Sequence, residues 1–411
     1  MNVFKVCFSY LRSRALLTAF NLLLLALGIG MVVLLLLAGS QLQEKLERDA
    51  RGIDLVVGAK GSPLQLILSA VYHVDVPTGN IPLAEAEKLR ANPLIRTAIP
   101  LALGDSFKGY RIVGTDAQYP AHYGAAPAQG RLWKQPMEAV LGAEVARKTA
   151  LGVGAAFAGA HGLTEGGELH EHSPYQVVGV LAATGSVIDR LVLTSVESVW
   201  KVHEHHDEDH DHEPAGNDKA EAEHYDPDPV SREVTALLIQ YRSPLAAATL
   251  PRLINSQSAL QAGSPAVETA RLLQITGVGL DGVRVFAAIL IVSAALSIFI
   301  ALYNALRERQ YDLAIMRTLG ATPRWLLGAV VLEGLLIALS GALLGFLAGH
   351  VAAEVLGRSI DMFRRMNLTG LTWVPSESWL LLLAAAVGLV ATLVPAWQAY
   401  RTDIAKTLAQ G

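Results

Sequence analysis

The sequence has little of the chemistry on which disulfide-bonded, thiolate-ligated or highly charged soluble proteins depend. It contains a single cysteine, Cys7, in 411 residues, which excludes an intrachain disulfide and a thiolate metal site. Charged residues make up 17% of the chain, against about 25% in ordinary globular proteins. Hydrophobic residues make up 52%, which is above the usual share. The chain is therefore too apolar to be a simple soluble protein.

Several nucleotide-binding and catalytic motifs are also absent. The sequence has no G-x-x-x-x-G-K-[ST], so we do not expect it to bind a nucleotide through a P-loop. It has neither G-x-S-x-G nor H-E-x-x-H, the signatures of serine hydrolases and zinc proteases. The net charge is −4 without any global basic character, which argues against nucleic acid as a partner. We expect no enzyme activity in this chain.

Four apolar runs are long enough to cross a bilayer, which takes about 20 residues. They predict transmembrane helices at residues 15–38, 285–306, 325–349 and 379–400. A cleaved signal peptide is the alternative for the first run. Its uncharged length exceeds the core of about 7–15 residues that is usual in signal peptides, so a retained helix is preferred.

The short basic segments predict the orientation of these spans. Lysines and arginines concentrate in residues 1–14, 307–324 and 401–411, which all fall on one side if the four spans cross. The positive-inside rule places that side in the cytoplasm, with both termini. Residues 39–284 and the loop 350–378 then lie outside. We expect a multi-pass membrane protein, in contact with membrane lipid.

The long segment 39–284 has the pattern of a folded α+β domain. Apolar runs predict strands, and helical patterns predict helices. The predicted strands are 53–57, 110–114, 175–183, 190–195 and 234–242, and the predicted helices are 83–92, 196–203 and 247–257. Residues 41–50 and 267–285 extend the first two spans as helical stalks. The fold class is therefore a membrane protein with four transmembrane α-helices and a large extracytoplasmic α+β domain between helices 1 and 2.

A histidine-rich acidic stretch, "HEHHDEDHDHE", begins at His203. Residues 201–229 carry a net charge of −9, which leaves +5 for the rest of the chain, and we expect 203–229 to be disordered. Neutral imidazoles suit zinc, copper or nickel. The candidate metal ligands are His203, His205, His206, His210, His212 and His224. Two interpretations stay open: a solvated acidic loop with incidental affinity, or a low-specificity loop that captures or senses zinc. No cofactor is required, and any zinc would be loosely bound.

The third predicted span has a face of small residues and one acid. Gly341, Gly345 and Gly349 recur every four residues, which lets another backbone approach closely. That partner is either a helix of the same chain or a second subunit. Glu333 lies within the span, where an acid is costly and by default a functional hypothesis. It pairs with Arg307 or Arg309, reaches the inner membrane interface, or belongs to an ion or proton path.

The segment between the second and third spans, "RERQYDLAIMRTLGATPRW", alternates charge with a helical apolar pattern. The apolar positions are Tyr311, Leu313, Ile315, Met316 and Leu319. Gly320 is typical of a helix C-terminus, and Pro323 of the start of the next helix. The segment predicts a short amphipathic cytoplasmic helix with an exposed apolar stripe. Such a helix either lies on the membrane or docks on another protein.

This segment and its continuation resemble the FtsX-like, MacB-type permeases of ABC transporters. The matching positions are Arg307, Gln310, Arg317, Gly320 and Ala321, followed by Glu333, Gly341 and Gly345. The tail "VPAWQAYRTDIAKTL" has the family's Pro395 and Ala396, whereas Ile404 and Ala405 stand near the usual second proline. One long outer domain between the first two spans also matches.

The resemblance implies a permease subunit of a bacterial inner membrane. Such a subunit couples ATP hydrolysis by a separate cytosolic ABC ATPase to movement of the outer domain. It also implies a homodimer, or a heterodimer with a second permease, and a periplasmic or outer-membrane partner. The outer domain would have two lobes, with the second inserted at about 121–229. The residues expected to couple to the ATPase are Arg307, Glu308, Gln310, Leu313, Met316, Arg317, Gly320 and Ala321.

A different class of function also fits the predicted topology. A membrane receptor or metal sensor would bind a ligand with its outer domain and transport nothing. An ATPase that co-purifies with the chain would separate the two classes. The sequence selects neither a cargo nor a direction of transport.

Overall fold

The computed structural model describes residue 12 and residues 15–162, 173–209, 232–308, 310–360, 363–364 and 368–401. It describes the backbone alone at 161, 203–209, 276, 278–279 and 311–313. The chain forms two compact units. The first, which we call the helical unit, comprises residues 1–44 and 275–411. The second, which we call the α+β domain, comprises residues 45–274.

The described elements include eleven α-helices and thirteen strands. In chain order they are α1 (Ala15–Asp49), β1 (Leu55–Ala59), α2 (Pro63–Ala70), β2 (Ile81–Pro82), α3 (Leu83–Arg90), β3 (Ile95–Phe107), β4 (Tyr110–Thr115), α4 (Gln118–His122), β5 (Pro127–Gly130), β6 (Glu138–Leu141), α5 (Ala143–Thr149), β7 (Ala156–Phe157), β8 (Ala160–His161), β9 (Tyr175–Leu181), β10 (Val192–Ser195), α6 (Val196–Asp209), β11 (Glu233–Val234), β12 (Ala236–Tyr241), α7 (Pro244–Gln257), β13 (Leu260–Gly263), α8 (Pro265–Glu308), α9 (Gln310–Thr318), α10 (Pro323–Ser359) and α11 (Ser378–Tyr400). Short 3₁₀ turns lie at Val187–Arg190 and Pro375–Glu377.

Four helices are long and apolar enough to cross a membrane, as the sequence predicts. They are α1, the part of α8 from Leu280, α10, and α11 with the turn before it. Helix α1 continues past its span to Asp49, and α8 begins at Pro265, well before its span. The predicted helical stalks are therefore confirmed as continuous helices.

Helix α10 is longer than predicted. It ends at Ser359, so the prediction of a loop from residue 350 was wrong for its first ten residues. Those residues include good helix formers, and Glu354 pairs with Arg358 one turn later at 2.5 Å. Such an i, i+4 pair supports a helix on an exposed face.

The α+β domain is built on one large sheet with the order β13-β1-β12-β3-β4-β10-β6-β9-β5. Neighbouring strands are antiparallel except β4–β10 and β6–β9. Strands β5, β6, β9 and β10 come from the segment predicted as an insertion, and they form one end of the sheet. The other end comes from the residues before and after that segment.

Both faces of the sheet are covered. Alternate residues of β1 point to opposite sides, as the pleat of a strand requires. Val56 joins a buried cluster with Ile67 of α2, whereas Leu55 joins a second cluster with Leu250 and Ile254 of α7. Burying each such aliphatic side chain contributes about 1.5–3 kcal/mol before the cost of chain ordering. The sheet is thus a double-sided core.

The start of the histidine-rich stretch differs from its prediction. Helix α6 continues to Asp209, so the prediction of disorder was wrong for residues 203–209. Its first turns bury Val199 and Val202, and the helix extends from that buried start. Residues 210–231 lie outside the described part of the chain.

Candidate functional site

The segment that joins the second and third spans forms helix α9 and a tight connection. After Thr318 the N–H of Gly320 donates to the Arg317 carbonyl at 3.1 Å, and the N–H of Ala321 donates to the Met316 carbonyl at 3.0 Å. Gly320 has a φ of +98°, a backbone conformation in which a residue with a side chain would be strained. These two bonds form a Schellman cap, which closes the helix at the predicted glycine.

The next helix begins at once. Thr322 is the N-cap of α10, and its hydroxyl oxygen accepts from the N–H of Trp325 at 3.3 Å. Pro323 occupies the first turn, where a missing N–H costs nothing. The cap residues Gly320 and Thr322 are two positions apart, so the hydrogen bonds of the two caps set the direction of α9 relative to α10.

The apolar residues of α9 divide into an inner and an outer set. Ala314 is fully buried, and Met316 packs against a cluster of Leu306, Leu326 and Ala399. Ile315 is 38% exposed and Leu319, just beyond the helix, is 80% exposed. The side chain of Leu313 lies outside the described part. Of the predicted stripe, Ile315 and Leu319 therefore present the apolar surface, and Met316 holds α9 to the helical unit.

The same segment of the chain also carries charged and polar groups. Arg307, Glu308 and Gln310 are exposed, and the Arg307 guanidinium lies 5.5 Å from the centre of the Tyr303 ring. Arg317 is half-buried. An apolar patch with a polar rim is the usual anatomy of a protein docking surface.

The predicted acid of the third span is buried. Glu333 is 9% exposed and lies beside Gly334, where an added β-carbon would clash with Thr392 of α11. Gly388 of α11 also packs closely against α10, because an added β-carbon there would lie 2.8 Å from the Ala338 Cβ. Glu333 therefore lies where α10 and α11 are in close contact. Whether it pairs with Arg307 or Arg309, or serves an ion path, stays a prediction.

The glycine face of α10 receives the first span. A β-carbon built on Gly345 would lie 2.6 Å from the carbonyl oxygen of Ala26, and one on Gly349 would lie 2.7 Å from that of Gly30. Gly341 faces Leu25 at 3.0 Å. Backbone meets backbone here, so α1 fills the face that the sequence left open to a second subunit.

A second constellation lies in the α+β domain, where α1 ends and α8 begins. The Tyr72 hydroxyl donates to the Leu46 carbonyl at 3.3 Å and lies 2.6 Å from the Thr269 hydroxyl. A tyrosine hydroxyl has one proton, so Thr269 donates in the second bond. We call Tyr72, Leu46 and Thr269 the helix-end junction. It joins the last turn of α1 to the second turn of α8.

The chemistry of the junction suits a permanent hydrogen bond. Tyr72 is 5% exposed, and burial raises the pKa of its hydroxyl above the usual value of 10.0. The hydroxyl therefore keeps its proton at physiological pH. Next in the chain, His73 accepts or donates at 2.9 Å to Tyr119, and burial, followed by the charge of Arg111, lowers the pKa of His73 well below 6.5. His73, which follows Tyr72 in the chain, is consequently neutral.

The predicted metal ligands cannot be placed. His203, His205 and His206 lie on the helical backbone of α6 without described side chains, and His210, His212 and His224 lie outside the described residues. Among the side chains that are described, no group of three or more His, Cys, Asp or Glu could hold a metal ion. The zinc hypothesis therefore rests on the sequence alone.

Two family models match the chain. The MacB-like periplasmic core domain matches residues 18–250, and the FtsX-like permease C-terminal model matches residues 284–404. The first match alone covers more than half of the chain. The chain belongs to the FtsX-like, MacB-type family of ABC-transporter permeases. It is a multi-pass membrane protein with a large α+β domain between its first and second spans.

Curated relatives match over a shorter stretch. The lipoprotein-releasing system transmembrane protein LolC of Xylella fastidiosa is 32% identical over 115 residues, 25% of this chain and 28% of the relative. The LolC of Neisseria meningitidis serogroup B is 28% identical over 140 residues, 30% of this chain and 33% of the relative. The chain thus matches a third or less of the length of these relatives.

Two solved structures also align with the chain. The periplasmic region of MacB from Actinobacillus actinomycetemcomitans aligns with a TM-score of 0.34 at 15% identity, over 56% of this chain and 97% of that one. The extracellular domain of the noncanonic ABC-type transporter YknZ from Gram-positive bacteria aligns with a TM-score of 0.31 at 11% identity, over 51% and 98%.

Proposed function

We propose that this permease couples ATP hydrolysis by a separate cytosolic ATPase to movement of its α+β domain. The observation that carries the proposal is the exposed apolar pair Ile315 and Leu319, next to spans that continue as helices into that domain. The family membership supplies the ATPase as the expected partner. Helix α9 is the contact, and α1 and α8 carry the displacement.

The placement of α9 supports its role as the contact. Met316 and Ala314 fix its inner side to the helical unit, so a force applied to its outer side reaches the spans directly. The positive-inside rule assigns residues 307–324 to the cytoplasm, where an ATPase would lie. The protein then lies in a bacterial inner membrane, with both of its termini in the cytoplasm. The α+β domain lies outside.

The spans also have the surface that a bilayer requires. Leu23, Val292 and Leu347 are each more than half exposed in the helical unit, which only lipid or another span can cover. We infer a dimer, either of two copies or with a second permease. Since α1 already fills the Gly341–Gly349 face, the dimer uses another face of the helices. A periplasmic or outer-membrane partner is expected to bind the α+β domain.

The test of the proposed function is purification of the intact chain with a photo-cross-linking residue at Leu319. We expect one cross-linked partner that binds ATP, together with vanadate-sensitive ATP hydrolysis in the purified complex. The same probe at Leu245, an exposed leucine of α7 in the α+β domain, should capture no ATPase. A membrane receptor or metal sensor would give neither the cross-link nor the hydrolysis, and that outcome would replace the proposal.

We further propose that the histidine-rich stretch links the transporter to zinc. Five histidines in eleven residues give several ways to collect three or four imidazole nitrogens, and adjacent carboxylates can orient the rings. Zinc titration of the intact chain, with and without residues 203–224, decides this. We expect binding to be lost in the deletion and, in the full chain, to fall steeply below about pH 6 as imidazoles protonate. Equal affinity and stoichiometry in both proteins would show that the stretch is not the site.

A further inference from the structure

The two helices that cross between the units enter the α+β domain beside each other. Strand β1 follows α1 after five residues, and β13 precedes α8 by a single residue, Ser264. These two strands are antiparallel neighbours, with Val56 opposite Gly263. The sheet therefore brings the end of α1 and the start of α8 to the same place.

The last turn of α1 is bonded to several parts of the domain. The Asp49 carboxylate accepts from the N–H of Val187 at 2.8 Å, and the Asp49 carbonyl accepts from the Tyr123 hydroxyl at 2.9 Å. These bonds hold α1 alone. Tyr72 differs from them, because its hydroxyl bonds α1 through Leu46 and α8 through Thr269.

The position of Tyr72 in the chain explains why it can bridge the helices. It follows α2, whose residues Leu66 and Ile67 are buried in the same cluster as the Tyr72 ring. The ring is thus fixed by the core, and only the hydroxyl extends to the two helices. A hydroxyl held in this way cannot follow one helix without pulling the other.

We propose that Tyr72 is a positioning residue that fixes the spacing of the two helix ends, so that the α+β domain receives their displacement as a single rigid motion. This inference rests on the proposed coupling function, which it deepens. Tyr72 contacts no cargo in this mechanism. Its hydroxyl bonds the last turn of α1 and the second turn of α8 to the same buried ring.

The first test measures the connection without any ATPase. Amide hydrogen exchange is followed by mass spectrometry in the intact chain, in peptides that cover residues 45–53 and 264–270. Tyr72→Phe keeps the buried ring and removes the hydroxyl, and Thr269→Val removes the partner hydroxyl at similar volume. We expect each change to accelerate exchange about fivefold in both peptides, as for the loss of one net hydrogen bond. Thr269→Ser should restore the wild-type rates.

The control is Tyr123→Phe, which removes a half-buried hydroxyl that donates to the Asp49 carbonyl of α1 and also interacts with the Tyr119 hydroxyl of α4. We expect it to accelerate exchange in 45–53 and to leave 264–270 unchanged. If Tyr72→Phe also affects only one peptide, or if Thr269→Val leaves 45–53 unchanged, the inference is wrong. Equal unfolding temperatures of Tyr72→Phe and Tyr123→Phe would show that their different exchange rates do not come from a general loss of stability.

The second test asks whether the connection transmits motion. Nitroxide labels at Val153 and Leu371, both exposed, report the distance between the α+β domain and the helical unit with and without ATP. We expect the ATP-dependent change in the distance between the two labels to be at least twofold smaller in Tyr72→Phe than in the wild type. The rate of ATP hydrolysis should stay within twofold of the wild-type rate. An undiminished change in Tyr72→Phe overturns the inference. No change in the wild type would instead contradict the coupling function and leave the exchange experiment to decide the role of Tyr72.

Discussion

Gly345→Leu is expected to prevent the helical unit from forming a stable fold. A β-carbon at residue 345 already lies 2.6 Å from the Ala26 carbonyl oxygen and 3.0 Å from the Ala26 Cα. Both neighbours are backbone atoms of α1, so no side-chain rotation makes room. Overpacking of a core costs about 1–3 kcal/mol and more where backbone must move. We expect at least about 3 kcal/mol here, because α1 must separate from α10 along its whole length.

The matched control is Gly328→Leu, in the same helix. An added β-carbon at Gly328 has no atom within 4 Å. Leucine is also the better helix former, by up to about 1 kcal/mol. The two variants are compared by thermal unfolding in detergent and by the fraction of protein that elutes as a single species. Equal behaviour of the two would show that α1 does not occupy the glycine face.

The spans and the glycine face were accessible from sequence for a simple reason. Twenty uncharged residues have few alternatives to a membrane helix, and glycines four apart lie on one helix face. The spacing predicts a close approach but does not identify the approaching helix. That assignment needs the contacts of Ala26 and Gly30, which lie more than 300 positions away in the chain.

The helix-end junction gave no comparable signal. Tyr72 and Thr269 are 197 positions apart, and neither stands in a recognisable motif. A single hydroxyl bond between distant segments depends on how the sheet orders its strands. The central strand β3 was missed for a related reason, since Pro100 interrupts the pattern. Pro100 has no N–H to donate to the sheet, but its carbonyl accepts from the Thr115 hydroxyl at 2.8 Å.

In the candidate docking helix, α9, the sequence periodicity predicts less than the structure shows. The pattern identifies the apolar residues of 307–320 but not which of them the rest of the chain covers. Met316 and Leu319 look alike in the sequence, yet one packs inward and the other is 80% exposed. Replacing Met316 with Asp would therefore disturb the attachment of α9 itself. A test of docking must use the residues that the helical unit leaves exposed.

The double variant Ile315→Asp, Leu319→Asp is expected to abolish association with the ATPase while the protein still inserts and folds. Both side chains are exposed, so the change removes apolar surface without leaving a cavity. A central apolar contact in an interface is worth about 2 kcal/mol or more, and each is replaced here by a charge that must lose its hydration. Loss of two such contacts weakens binding about a thousandfold. The measurement is the affinity of the purified permease for its ATPase.

The control is Leu245→Asp, the same substitution at a leucine of α7 that is 64% exposed. It adds a charge to the surface of the α+β domain and leaves α9 unchanged. We expect ATPase affinity and the thermal unfolding of Leu245→Asp to equal those of the wild type. The double variant should match it in unfolding temperature and differ only in affinity, since Gly320 and the Schellman cap are intact. If the double variant binds the ATPase as tightly as Leu245→Asp does, α9 is not the contact. The displacement would then have to enter the helical unit at another place.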